Sequence, residues 1–412
     1  VPVFNQQGIV MNADAIANRA TLRSLALPLA AVFVVSMGFG LVLPVLPFVL
    51  ALTLGETARA AIAWHTGMLM GTYMLALFLF APLWGYLSDR VGRRKVILIG
   101  LAGFVGAMLW FALARGLVSV YAARALAGLF AAAVLPVVLA WVGDACTTPA
   151  RAAAFAWLSA ASALGFLFGP ALGGWLASIE SFGRDTALAL PFYAAAAMGS
   201  GMWFAAYRWL PESSVRRTVE DASQPNAPSL FGLLVLSLLV TFGIGSFEVG
   251  LTLQGQQLLN LRASEIGWVL AVCSLAMILV QVFVIAPLIK RVGSRLLAPA
   301  FLAMAAGIAL LPFATSYVLL LIGVGLIATA SGLLIPALAY LTSLAAGIRQ
   351  GAALGKQTAA ASLGQAAGSA TAGWLFALFT AAPFWVTAGL LGLGAVVAHC
   401  VSNGLEKVGN ER

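Results

Sequence analysis

From Ser24 to Val401 the chain is a succession of apolar runs, each of about 20 residues and separated only by brief polar interruptions. A helix of that length crosses the hydrocarbon core of a bilayer, where a segment must satisfy its own backbone hydrogen bonds. Twelve such runs can be set out, at 25–52, 65–84, 96–114, 119–143, 152–178, 189–209, 230–254, 266–288, 297–314, 317–343, 353–380 and 383–401. The expected fold class is an all-α membrane protein of twelve transmembrane helices. A chain that is 62% hydrophobic and 8% charged, with mean hydropathy +1.02, lies far from the composition of a soluble globular domain. The first run is too long for a cleavable leader and lacks a small-residue cleavage site, so the first span is expected to stay. Val1 leaves Met11 open as the initiator.

Charge sets the expected orientation. Of 22 Lys and Arg residues, Arg59, Arg115, Arg184 and Arg262 fall on one side and Arg124 inside a span, which leaves seventeen on the other. By the positive-inside rule that basic side is cytoplasmic and carries both termini, in keeping with an even number of spans. The net charge of +9 is thereby explained without a nucleic-acid partner. Cys146, Cys273 and Cys400 are odd in number and scattered, and His65 and His399 stand near opposite ends of the chain, so neither disulfides nor a metal site is expected.

The chain is doubled. The polar segment PESSVRRTVEDASQPNAPS (211–229) divides the spans six and six, and the halves match at an offset of about 200 residues. LGFLFGPALGGWL (164–176) lies over LGQAAGSATAGWL (363–375), aligning Gly165 with Gly364, Gly169 with Gly368 and Gly174 with Gly373. Pro136 meets Pro336, and Arg90-Val91-Gly92 meets Arg291-Val292-Gly293. The expected organisation is a tail (1–24), a six-helix bundle (25–210), a cytoplasmic linker (211–229), a second bundle (230–401) and a tail (402–412). Two such bundles about an axis along the membrane normal suit rocking around a central site.

Three stretches hold the candidate functional residues. GYLSDRVGRRK (85–95) concentrates charge in one short loop, with Gly85 and Gly92 allowing close approach and a tight turn, Asp89 a lone acid, and Arg90, Arg93 and Arg94 around it. The second copy has Lys290 where the acid stood. In the fifth span Gly165, Gly169 and Gly173 share one helix face, which admits another helix closely; Pro170 and Gly174 complete the run. The seventh span holds Glu248, the one acidic residue placed inside any span, where an ionisable group points to function; its bland alternative is an interfacial pair with Arg262. Arg124, followed by Gly128, stands about four residues from the outer end of the fourth span and either snorkels to the headgroups or serves transport. GVGLIA (323–328) fits a dinucleotide fingerprint only on paper, because no strand precedes it.

GYLSDRVGRRK resembles the signature loop of the major facilitator superfamily, and GPALGGWL (169–176) is similar to the motif of its antiporters. With MGFGLVLPVLP (37–47), these stretches make the first 210 residues similar to the drug:proton antiporter branch, including the tetracycline exporters. The resemblance implies that Asp89 bridges the halves on the cytoplasmic side, facing the start of the eleventh span near Gly351. It also implies a part for Arg124 in proton traffic, although Ala127 replaces the family's usual Gln. The tetracycline exporters carry acids in spans one and three, where this chain has Val35 and Ala107, and a polar residue where it has Leu77. Tetracycline is therefore a poor substrate candidate, and Glu248 remains as the proton site.

The resulting expectation is a proton-coupled exporter of a small amphipathic drug or metabolite, in a bacterial inner membrane. Its cavity would be lined by spans 1, 4, 7 and 10, with Met37, Phe247 and Tyr340 as substrate contacts. Its partners would be substrate, protons and membrane lipid; it would be a monomer, with no cofactor and no enzyme chemistry. The alternatives are an exporter of one self-made compound such as a siderophore, and an uptake carrier or facilitator of the same fold.

Overall fold

Apolar runs flanked by glycine and charge fold as helices that end where those flanks begin. The computed structural model describes residues 25–145, 148–179, 181, 183–211, 227–314, 316–346 and 350–410, and among them there is no strand. The expected tail 1–24, most of the expected linker, residues 411–412 and Cys146 lie outside the described residues. In chain order the long helices are α1 (Leu25–Val42), α2 (Arg59–Val91), α3 (Arg93–Leu113), α4 (Leu117–Val142), α5 (Ala156–Ala177) and α6 (Arg184–Trp209). The second set is α7 (Leu230–Gln257), α8 (Ala263–Val284), α9 (Gly293–Phe313), α10 (Tyr317–Ala345), α11 (Gln350–Leu378) and α12 (Ala382–Asn403).

Eleven of the twelve are long and apolar enough to cross a membrane by that measure alone; α11 falls short. It is nonetheless 29 residues long, about 43 Å at 1.5 Å per residue, and it packs most extensively against α7 and α2. Its Gln357, Ser362, Gln365 and Ser369 are tolerable because protein, not lipid, lies alongside.

Boundaries differ from the hydropathy reading where helix outlasts apolarity. The second span, expected over 65–84, is helical from Arg59 to Val91 and ends at Gly92, whose φ of +100° lets one residue close α2 and open α3. The first span breaks at Leu43–Val45, in front of the short helix Leu46–Leu54, because Pro44 and Pro47 have no N–H to continue the ladder. In α4 the chain turns at Ala132–Val134, with Ala133 N–H bonding the Phe130 carbonyl, just before Pro136. The last helix runs on through the expected tail to Asn410.

The halves repeat one another contact by contact. A Cβ on Gly165 of α5 would lie 2.7 Å from the Phe33 carbonyl of α1, and one on Gly169 would lie 2.6 Å from that of Met37. In the second half Gly364 and Gly368 of α11 abut the Leu238 and Phe242 carbonyls of α7 in the same manner. Across the halves, Gly67 of α2 packs on Gly373 of α11, and Gly267 of α8 packs on Gly174 of α5. Both crossings lie at the end away from the linker, called here the far end. Backbones meeting without side chains between them close the molecule there.

Candidate functional site

Glu248 is 8% exposed, on the face of α7 that looks toward the other half. Its Oε2 accepts a hydrogen bond from Gln365 Nε2 of α11 at 3.0 Å, and among the described residues it has no ion-pair partner. The pairing with Arg262 is not formed: Arg262 precedes α8 and its backbone N–H donates to Glu265 at 2.8 Å. Glu248 lines a cavity of about 40 Å³ together with Leu43, Phe166, Pro170, Phe247, Cys273 and other residues of α7, α8 and α10. Both halves contribute, and the walls are mostly apolar. This volume suits a water or two; drug-sized ligands need roughly 300 Å³ or more.

Arg124 does not snorkel. It is fully buried, its Cζ 4.8 Å from the Tyr73 ring centroid of α2 and 5.5 Å from that of Phe39 of α1. Nη2 contacts Met70 Sδ at 3.0 Å, while Nε and Nη1 have no hydrogen-bond partner. Two π faces and a thioether thus hold the guanidinium in place of a carboxylate. Phe39 stands 5.6 Å, centroid to centroid, from Phe166, which lines the Glu248 cavity. Arg124 and Glu248 therefore flank the same aromatic pair, and α4 stays behind it rather than lining this cavity.

The charged stretch expected as a loop is helical except at Gly92: Asp89, in the last turn of α2, is about half exposed and pairs with Arg93 at the start of α3 at 2.5 Å, and Arg93 also donates to Ser88 Oγ. Arg90 stacks on Tyr86 at 4.2 Å and Arg94 Nη2 donates to the Tyr207 carbonyl at 2.6 Å. Gly85 has open space beside it, so close helix approach is not what it provides here. Gly351 belongs to α11, but the side chains at 346–352 lie outside the described residues. Of the run in α5, Gly165, Gly169 and Gly173 meet α1, Gly174 meets α8 of the other half, and Pro170 meets both, with its ring against Gly40 and its carbonyl against Gly267. Met37 is buried against Gly169, Phe247 lines the Glu248 cavity, and Tyr340 is half exposed near the linker end of α10, away from that cavity.

Sequence reasoning missed Gln365, the residue that holds the carboxyl. A signal was present: in the aligned runs Gln365 stands opposite Phe166, a polar amide where the first half has a ring. It also missed the aromatic cage around Arg124, whose members Phe39 and Tyr73 come from two helices other than its own.

A family model described as Major Facilitator Superfamily matches residues 29–257 and 230–403. The chain is 28% identical to multidrug resistance protein 2 of Bacillus subtilis over 371 residues, 86% of this chain and 89% of that protein. It is 26% identical to the quinolone resistance protein NorA of Staphylococcus aureus over 376 residues, 89% and 93% of the two chains. Among solved structures it resembles the human organic anion transporter MFSD10, with TM-score 0.70, 22% identity and 92% and 99% coverage. It also resembles a bacterial homologue of the human lysosomal transporter Spinster in an inward-facing, unoccupied conformation, with TM-score 0.72, 14% identity and 95% and 98% coverage. At those identities the structural likeness concerns the fold.

Proposed function

The chain belongs to the Major Facilitator Superfamily, and from that membership we propose that it exports a small amphipathic molecule, drug or metabolite, by proton antiport through alternating access. The integral membrane character follows from the spans and the family; the direction and the coupling ion are the proposal. Similarity over most of both chains to proteins named for multidrug and quinolone resistance supports export.

One observation carries the coupling: a carboxyl, the only one buried between the halves among the described residues, held by a neutral amide and lining a cavity. A buried carboxyl without a cation exchanges a proton more readily than a fixed ion pair would, and Gln365 positions it without neutralising it. Protonation from outside competes with bound cargo and releases it; deprotonation toward the cytoplasm restores an acceptor for the next molecule. Phe247, Leu270 and Met277 supply permissive apolar contact once the cavity widens. Arg124 is the buried cation of the same layer, and the loop around Asp89 and Gly92 is the gate at the linker end. Far-end closure through Gly67, Gly373, Gly174 and Gly267 is one of the two closures that alternating access requires.

The test is Glu248→Gln in proteoliposomes. Gradient-driven efflux should vanish while substrate exchange across the membrane persists, since exchange needs alternating access but no net proton movement. Full gradient-driven efflux by this variant would falsify the assignment. Orientation is tested separately with cysteines at the exposed positions Arg90 and Ser181. The first should react only with reagents that reach the cytoplasm, the second from outside; the reverse pattern would invert the topology.

A further inference from the structure

Pro170 lies inside α5, and its ring has no N–H to give to the carbonyl of Phe166 four residues back. Within a bilayer a carbonyl freed in this way needs another donor, because lipid tails supply none. The donor comes from the other half of the molecule: Ser274 Oγ of α8 donates to the Phe166 carbonyl at 3.2 Å. The same hydroxyl reaches the Leu270 carbonyl of its own helix at 3.0 Å, so its one proton is shared, and the shorter contact is the local one. Phe166, Pro170, Leu270 and Ser274 all line the Glu248 cavity. Ser331, the other hydroxyl of that lining, bonds the Ile327 carbonyl of its own helix at 2.7 Å.

The matched level of the other half is built differently. Ser369 stands over Pro170 and Gln365 over Phe166 in the aligned runs. Ser369 has the N–H that Pro170 lacks, so α11 can keep its ladder at the Gln365 carbonyl. There the side-chain amide of Gln365 holds Glu248, whereas in α5 the matched residue offers its backbone carbonyl to the other half.

A hydrogen bond that spans the halves breaks when they part. Ser274 then keeps Leu270 as its partner, but the Phe166 carbonyl loses the donor that replaced the missing N–H, in a mostly apolar cavity beside a carboxyl. An acceptor left bare in such surroundings is costly, and a ligand N–H relieves it. Resting on the assignment of cargo to the Glu248 cavity, we propose that the Phe166 carbonyl is a substrate acceptor. The cargo class is thereby narrowed to amphipathic molecules that carry an N–H donor, such as a protonated amine, set between this carbonyl and the Glu248 carboxyl. Ser274 holds the cargo's place while the halves are closed. Because the closed cavity measures only about 40 Å³, cargo replaces Ser274 as α5 and α8 separate. A cation whose nitrogen is fully alkylated meets the carboxyl but leaves the carbonyl bare, and it binds more weakly.

The experiment is an equilibrium fluorescence titration of the full-length protein in lipid nanodiscs at neutral pH, without a proton gradient and with binding to empty discs subtracted. The probes are acridine orange, whose protonated ring nitrogen carries one N–H, and its ring-N-methylated analogue, a cation of nearly the same shape with no N–H. Acridine orange should bind roughly fivefold tighter or more. Pro170→Ala returns a helix donor to the Phe166 carbonyl and should bring the two affinities to within about twofold of each other. Ser274→Ala should raise the ratio above that of the unaltered protein, because no hydroxyl then competes for the carbonyl. Glu248→Gln should weaken both dyes together and leave the ratio standing. Equal affinities in the unaltered protein, or a ratio untouched by Pro170→Ala, overturn the proposal while leaving the export reading in place. A ratio that falls in Ser274→Ala assigns the N–H to the hydroxyl, and one that collapses in Glu248→Gln assigns it to the carboxyl; either result overturns it as well. If neither dye binds, the cavity is not a site for such cargo, and the proposal falls together with the reading on which it rests. Should Pro170→Ala not purify as a folded protein, the rise expected in Ser274→Ala decides.

Discussion

The two halves share a backbone frame, and the difference that bears on function lies in one central layer of side chains. Gly38 abuts Phe104 as Gly243 abuts Met304, and Gly40 meets Pro170 as Gly245 meets Ser369. That register places Leu43 opposite Glu248 and Phe166 opposite Gln365; the register of Pro136 and Pro336 places Val324 opposite Arg124. Glycine persists where helices touch backbone to backbone, since any Cβ would overlap a carbonyl. Where the contacts face the centre, each half has, among the described residues, one buried ion, and the other half has an apolar residue at the matching position. The ions have opposite sign and are supported differently: aromatic faces hold Arg124, and an amide holds Glu248. A duplicated scaffold thus tolerates a buried charge in one copy while the other copy supplies the packing.

The largest effect should come from moving the carboxyl between matched positions. Glu248→Leu should reduce gradient-driven transport to that of empty vesicles, and adding Leu43→Glu should not restore it, because Phe166 stands where Gln365 would hold the group. Rescue by Leu43→Glu alone would show that position in the cavity suffices. Next, Arg124→Met removes a buried cation that no carboxylate partners among the described residues. The melting temperature should hold or rise, equivalent to about 1 to 4 kcal/mol at most, while transport falls; a sharply less stable variant would mean that the aromatic cage repays the full cost of burial.

A test of the twofold itself comes third. Gly373→Leu and Gly174→Leu each push a side chain into the backbone of the other half, and each should cost about 1 to 3 kcal/mol or more in thermal unfolding. Comparable losses support equivalent crossings, and tolerance of one alone breaks the comparison. The smallest effect is expected at the exposed Arg184–Glu56 pair at the far end, 57% and 68% exposed. Arg184→Gln should change stability by less than about 1 kcal/mol, as screened surface pairs do.

Much of this frame was legible in the sequence because its determinants are local. Runs of apolar residues set twelve helices, and the recurrence of Gly165, Gly169 and Gly174 as Gly364, Gly368 and Gly373 announced the doubling. Glu248 stood out as an acid within a span. Helix ends were less legible, since α2 keeps its hydrogen-bond ladder through charged residues out to Val91, beyond the stretch that hydropathy marks. The partners of the buried ions were least legible. Gln365 meets Glu248 across more than a hundred residues of chain, and Phe39, Met70 and Tyr73 converge on Arg124 only after α1, α2 and α4 have packed. Only the aligned repeat, which sets Gln365 opposite Phe166, hints at which polar residue of α11 will face α7.

The modest apolarity of α11 bears on how the chain is made. A segment carrying Lys356, Gln357, Ser362, Gln365 and Ser369 partitions weakly into lipid as an isolated helix, and its natural surroundings are α7 and α2, both synthesised earlier. Integration of α11 is therefore expected to follow the assembly of helices already in the bilayer, and with it the formation of the Gln365–Glu248 contact. Biogenesis and coupling converge on this one helix, so a lesion in α2 far from the carboxyl is expected to surface as failed insertion of the final hairpin during translation.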